Sequence, residues 1–164
     1  MEMLRVAALV AATLTTGLVA GLFYAYTCSV MPGLRRAGDR TFVETMQRIN
    51  VAILNGWFLS CFLGAAVLTA LALALHIAAD VPRPVAWLVA ALVLYVAQLA
   101  VTFSVNVPLN NELEAAGAPD RVADPSVPAD ARRRFEGRWV RWNLVRTLTS
   151  TAAFACLLGA LVSG

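Results

Sequence analysis

Lysine is absent from this chain of 164 residues, histidine occurs once and cysteine three times. Without lysine, arginine alone carries the thirteen positive charges against ten acidic ones, a net of +3. That balance is too small and too local to support nucleic-acid binding. One histidine, His76, and no Cys-x-x-Cys pair leave too few ligands for a structural zinc or a haem, so no metal or cofactor is expected. Cys28, Cys61 and Cys156 fall in separate apolar stretches, which argues against a disulfide framework or thiol relay and predicts small buried side chains. Charge of either sign is missing from Val6 to Leu34, Ile49 to Ala79, Pro84 to Asn111 and Thr147 to Gly164.

Those four runs organise the chain. A helix rises ~1.5 Å per residue and needs roughly 20 apolar residues to cross a hydrocarbon core of about 30 Å, and each run reaches or nearly reaches that length. With 60% hydrophobic residues and a mean hydropathy of +0.72, the chain has no room for a separate soluble domain. The expected fold is all-α, an integral membrane four-helix bundle in one domain over 1–164. Its spans lie near 6–31, 49–77, 85–108 and 143–163. Ala25-Tyr26-Thr27-Cys28 superficially resembles a lipoprotein cleavage site, but the first run is too long for a signal core and three more spans follow.

Eleven arginines (35, 36, 40, 48, 121, 132, 133, 134, 138, 141 and 146) adjoin the first and third connections, and only Arg5 and Arg83 lie on the other side. The positive-inside bias therefore predicts a multi-pass protein of the cell membrane with those connections in the cytoplasm and both termini outside. Met31-Pro32-Gly33 ends the first helix. Thr41-Phe42-Val43-Glu44 has capping-box spacing, predicting one continuous helix from about 42 through Asn50 and Asn55 to Leu75. Residues 112–130 read as a long loop, after which Asp130 is expected to cap an amphipathic helical extension, 131–141, leading into the fourth span. Gly17 and Gly21, one turn apart, predict close approach of another helix.

Polar residues intrude on the spans at one level. Gln98, Thr102, Asn106, Asn110 and Glu114 recur every four residues, and Pro108 interrupts the stripe. Trp139, Trp142, Asn143 and Arg146 share a face of the fourth helix, Glu44, Gln47 and Asn50 a face of the second, and Tyr24 and Thr27 close the first. Up-down topology brings these four segments to one membrane face. The expected site is a polar pocket opening from the cytoplasmic interface, walled by Trp139 and Trp142. Arg146 requires a partner if buried, and Glu44 and Glu112 are the candidates. The weighing alternatives are interhelical hydrogen bonding by the asparagines, interfacial anchoring by the tryptophans, and lipid-headgroup contact by Arg132 to Arg134.

Asn106-Val107-Pro108-Leu109-Asn110 closing a third span, and Trp139-Val140-Arg141-Trp142-Asn143-Leu144-Val145-Arg146 opening a fourth, resemble the anthrone-oxygenase-like family of small four-helix membrane proteins. Gly21-Leu22-Phe23-Tyr24-Ala25 and Met46-Gln47-Arg48-Ile49-Asn50 fit the same pattern. The resemblance implies a cofactor-independent reaction in which dioxygen, as co-substrate, attacks the activated methylene of a planar anthrone or related phenolic. Trp139, Trp142 and Tyr24 would then clamp the rings with Gln47 and Asn50 beside them, while Asn106, Asn110, Asn143 and Arg146 would bond the oxyanion. Glu44 is assigned as base from its place at the pocket mouth, not from the resemblance. The alternative is a non-catalytic membrane protein that binds, carries or scaffolds a small amphipathic ligand or a membrane partner. A channel or pump ranks lower, since no acidic residue is expected at the midplane and four helices leave little room for a pore. A homo-oligomer is compatible with the sequence.

Overall fold

The computed structural model describes residues 1–119 and 124–164, and among them every regular element is helical. Helix α1 (Glu2–Ala25) passes through a π-helical turn (Tyr26–Val30) into the short α2 (Met31–Leu34). Helix α3 (Asp39–Ala52) precedes α4 (Gly56–Ala78), and α5 (Val85–Val101) passes through a second π turn (Thr102–Asn106) into α6 (Val107–Ala115). The chain ends in α7 (Ser126–Ser163). Taken with their continuations, Glu2–Leu34, Gly56–Ala78, Val85–Ala115 and Ser126–Ser163 are long and apolar enough to cross a membrane. The protein is a multi-pass four-helix membrane bundle.

Several boundaries differ from the sequence expectation. Helix α3 starts at Asp39 after an extended Gly38 and carries no side-chain cap, so Thr41 is already inside the helix. The expected continuous second helix is broken at 53–55, and the second span begins at Gly56 instead of near residue 49. Asn55 causes the break: its extended backbone lets Oδ1 accept the Phe58 N–H at 3.1 Å, while its Nδ2 donates to the Ala52 carbonyl at 2.8 Å. A short amide side chain that satisfies both helix ends competes with continuation of the helix. The third span runs on past 108 to Ala115, so the irregular connection is shorter than 112–130. Asp130 lies inside α7, and it is Asp124 Oδ1 that accepts from the Ser126 N–H at 2.8 Å. Arg121, counted among the cytoplasmic arginines, lies outside the described residues.

Both π turns stand just before a proline. The Met31 N–H reaches back to the Tyr26 carbonyl, one residue before Pro32, and the Val107 N–H reaches the Thr102 carbonyl, one residue before Pro108. Proline offers no N–H to continue the ladder, and a wider turn absorbs the mismatch without ending the helix. The second π turn also takes up part of the drift of a four-residue repeat, so Thr102 and Asn106 are buried and Asn110 remains half-buried below them.

Small residues line the helix interfaces: Ala12, Ala65, Ala72, Ala91, Ala153 and Ala160 are buried, as expected where close van der Waals packing replaces the hydrophobic drive. Gly17 meets the Phe154 ring, which a Cβ at this position would approach to 2.9 Å, whereas a Cβ at Gly21 would meet no neighbouring helix within 4 Å. The expected glycine pair therefore reduces to one ring seat. At the arginine-rich end, Met31, Phe42, Met46, Leu109, Leu113, Phe135 and Trp139 form a separate aromatic-rich core. Arg132 clamps this end together: it bonds Glu136 and Asp39 at 2.8 and 3.0 Å and the Ala37 and Arg35 carbonyls at 2.9 Å each. It is thus turned inward and not spread on lipid, while Arg133 pairs with Asp130 on the exposed side. Cys28 is exposed, contrary to expectation, and Cys61 and Cys156 are half-buried.

Candidate functional site

Helix α7 carries a buried guanidinium with no carboxylate opposite it. Arg146 is 6% exposed, and no Asp or Glu pairs with it among the described residues. The expected partners are elsewhere: Glu44 is bound by Arg48 at 2.6 Å, and Glu112 is exposed on α6. Two rings and one amide hold Arg146 instead. Its guanidinium carbon stands 4.3 Å from the Phe23 ring centroid and 5.2 Å from that of Trp139. One terminal nitrogen donates to Asn143 Oδ1 at 2.8 Å, and Nε has no partner. Aromatic faces attract a cation but do not neutralise it, so the positive charge stays available.

Asn143 is the positioning group. Its Nδ2 donates to the Phe23 carbonyl at 3.1 Å and to Thr27 Oγ1 at 2.9 Å, and Thr27 shares a hydrogen bond with Thr147 at 2.9 Å. The π turn beginning at Tyr26 sits beside this network, and Tyr26 packs its ring 5.5 Å from that of Trp139. Trp139 is buried and donates Nε1–H to Asn110 Oδ1 at 2.9 Å, tying α7 to α6.

A cavity of about 300 Å³ opens over this cation. That volume is at the lower end of the roughly 300–1,000 Å³ found for small-molecule sites. Phe23, Tyr26, Trp139 and Phe58 provide aromatic walls, and Asn50, Thr102, Asn110, Asn111, Glu114 and Arg146 provide the polar ones. The α3–α4 break contributes Ile53 and Leu54 to the rim. Leu22, Ile53 and Phe58 also line a second, more open groove that reaches the 89%-exposed Trp57, at the depth of the membrane-spanning helices. Asn50 Nδ2 and both polar atoms of Asn106 are buried without a partner. At the cavity wall the unmet groups are donors, Asn50 Nδ2 and Arg146 Nε, which suits the wall to an acceptor or an anionic group.

The structure thus brings Asn50, Asn110, Trp139 and Arg146 to one cavity, with Asn143 behind Arg146. Asn106 is buried one turn before Asn110 and does not reach the cavity wall. Besides Asn106, four other expected residues lie away from this cavity. Tyr24 is 59% exposed, and Tyr26, two residues on, takes the expected place because it follows the buried Phe23 by three residues. Trp142 is half-buried and does not line the cavity, being one residue off the Trp139–Asn143–Arg146 stripe. Gln47 is spent on structure, with Nε2 donating to the Leu113 and Gly117 carbonyls at 2.8 and 3.0 Å. Gly117, at φ 81°, closes α6 in the left-handed conformation that presents its carbonyl. Glu44 faces a separate open groove with Arg48. Phe23 and Tyr26 are outside the expected site residues, and the three-residue step between them is the signal that finds them; Glu114 belongs to the expected polar stripe but carries no assigned role there. Among the described residues, no group of three or more His, Cys, Asp or Glu stands together as a metal-binding set.

A family model described as anthrone oxygenase matches residues 57–156. The match contains Asn106, Asn110, Glu114, Trp139, Asn143 and Arg146, whereas Phe23, Tyr26 and Asn50 come from the part of the chain before it. No curated protein and no solved structure matches.

Proposed function

The chain belongs to the anthrone oxygenase family, and on that premise we propose that it oxidises a planar, electron-rich phenolic such as an anthrone, with dioxygen as co-substrate and no further cofactor. Such a substrate loses a methylene proton to give a delocalised enolate. The enolate passes one electron to oxygen, the resulting radical pair combines into a carbon-bound peroxide, and loss of water leaves the quinone carbonyl. The carbon loses two hydrogens and gains one oxygen, and the second oxygen leaves as water. The protein's tasks are to hold the rings, accept the proton and stabilise the oxyanion.

The observation that carries this reading is Arg146, buried without a carboxylate and stacked between Phe23 and Trp139 at a cavity wall. A desolvated guanidinium is costly to keep unless it has a task, and its natural complement here is an aromatic oxyanion. Phe23, Tyr26 and Trp139 match the flat apolar body of the same molecule. The groove shared by Leu22, Ile53 and Phe58 supports arrival of the substrate from the bilayer.

Purified protein in detergent should raise oxygen uptake by a panel of anthrones above the spontaneous rate. A protein that binds hydroxyanthraquinones yet accelerates no oxygen uptake is a carrier, and the proposal then fails. The arginine distribution further supports a cytoplasmic mouth for the cavity. A tag placed after Gly164 should be protease-accessible from outside intact cells; accessibility only in inverted vesicles reverses this orientation.

A further inference from the structure

We propose that Glu114 is the base that removes the substrate's proton, an assignment that rests on the reaction proposed above and locates its proton acceptor. Glu114 is the sole carboxylate lining the Arg146 cavity among the described residues. Among the described residues no hydrogen bond or ion pair engages its carboxylate, in contrast to Glu44, whose carboxylate is held by Arg48 at 2.6 Å.

Its position fits the substrate's shape. Glu114 follows Asn110 by one turn of α6, about 6 Å along the axis, and Asn110 is level with Trp139 through their 2.9 Å hydrogen bond. The Arg146 guanidinium lies 5.2 Å from the Trp139 ring. A tricyclic ring lying along the cavity wall to which Trp139 and Asn110 contribute, with its oxygen at Arg146, therefore directs its opposite edge toward Glu114. In an anthrone that edge is the acidic methylene, directly across the central ring from the carbonyl.

The step moves one proton. A Glu114 carboxylate oxygen bonds the methylene hydrogen, the C–H electron pair enters the ring system, and the negative charge settles on the oxygen facing Arg146. Glu114 becomes a neutral carboxylic acid. It also lines the outer open groove with Glu44 and Arg48, so the same side chain can release that proton toward water. The charged and titratable groups around it are Glu44 and Arg48 from α3 on the outer side and Arg146 and Tyr26 in the inner cavity.

Glu114→Gln tests the assignment, because the residue is exposed and its amide preserves size. At neutral pH the oxygen uptake of E114Q with an anthrone should fall by about 10²–10⁴, the usual contribution of a positioned base. Binding of a hydroxyanthraquinone, followed by its absorbance, should be unchanged. Raising the pH until the anthrone ionises in solution should return E114Q toward the wild-type rate, and Glu114→Asp should retain a measurable rate at neutral pH. Full activity of E114Q, or a loss equal at every pH, overturns the assignment while leaving the proposed reaction intact. Wild-type protein that accelerates no oxygen uptake overturns both.

Discussion

Arg146→Met separates a ligand-binding cation from a structural one. The substitution keeps a long apolar side chain against Phe23 and Trp139 and removes the charge. What is lost is one charge-assisted hydrogen bond to Asn143, worth about 1.5–3 kcal/mol, and two ring contacts of up to about 2 kcal/mol each when desolvated. What is relieved is the desolvation of an uncompensated ion, several kcal/mol on its own. These terms nearly cancel, so the melting temperature in detergent should stay within a few degrees of wild type. Activity should not. Losing the one charged donor at the oxyanion position is expected to reduce kcat by roughly 10²–10³, the effect of deleting an oxyanion-hole donor. Thermal unfolding and oxygen uptake measured on the same preparation read both quantities. Folded R146M protein that retains kcat within a factor of two refutes the oxyanion role. A collapse of folded protein matched by unchanged activity in the remaining fraction identifies Arg146 as interhelical glue instead.

Other substitutions follow from the same geometry. Trp139→Phe removes the Nε1–H that Asn110 accepts and leaves a partly buried oxygen unpaired, a cost of about 1–3 kcal/mol; it should lower both melting temperature and anthrone turnover, whereas Trp142→Phe should change neither. Gly17→Ala drives a methyl to 2.9 Å of the Phe154 ring and should destabilise by about 1–3 kcal/mol of overpacking, while Gly21→Ala, with nothing within 4 Å, should be neutral in the same thermal assay. Asn55→Ala deletes the cap of α4, about 1 kcal/mol, and frees α3 and α4 to fuse; weaker hydroxyanthraquinone binding with a small drop in melting temperature is expected, because Ile53 and Leu54 leave the cavity rim.

The site is only partly legible in the sequence because depth and spacing place a residue near a level without fixing which way its helix faces. Stripe reading assumes a constant 100° per residue, which along α7 places Trp139, Asn143 and Arg146 together but also takes in Trp142, one residue off that face. On α1 Tyr24 is assigned by depth and not by face, whereas the buried face runs Thr16, Val19, Ala20 and Phe23 and leads by an ordinary three-residue step to the half-buried Tyr26. The sequence likewise offers lipid-headgroup contact for Arg132, because nothing local distinguishes it from Arg133 and Arg134. Only the docking of the 35–39 connection supplies the Asp39 carboxylate and the two carbonyls that turn it inward.

Charge-free runs determined the number and approximate place of the spans, because an ion is so costly in hydrocarbon that its absence is visible without any coordinates. The family likeness was legible for a related reason: the asparagines, tryptophan and arginine that carry it are conspicuous against an apolar background. Whether Arg146 met a carboxylate or an empty cavity was beyond the reach of any periodicity. Pairing depends on how helices rotate and how far side chains extend across the bundle, and Asn55, Asn143 and the two π turns settle that rotation only once the helices have packed.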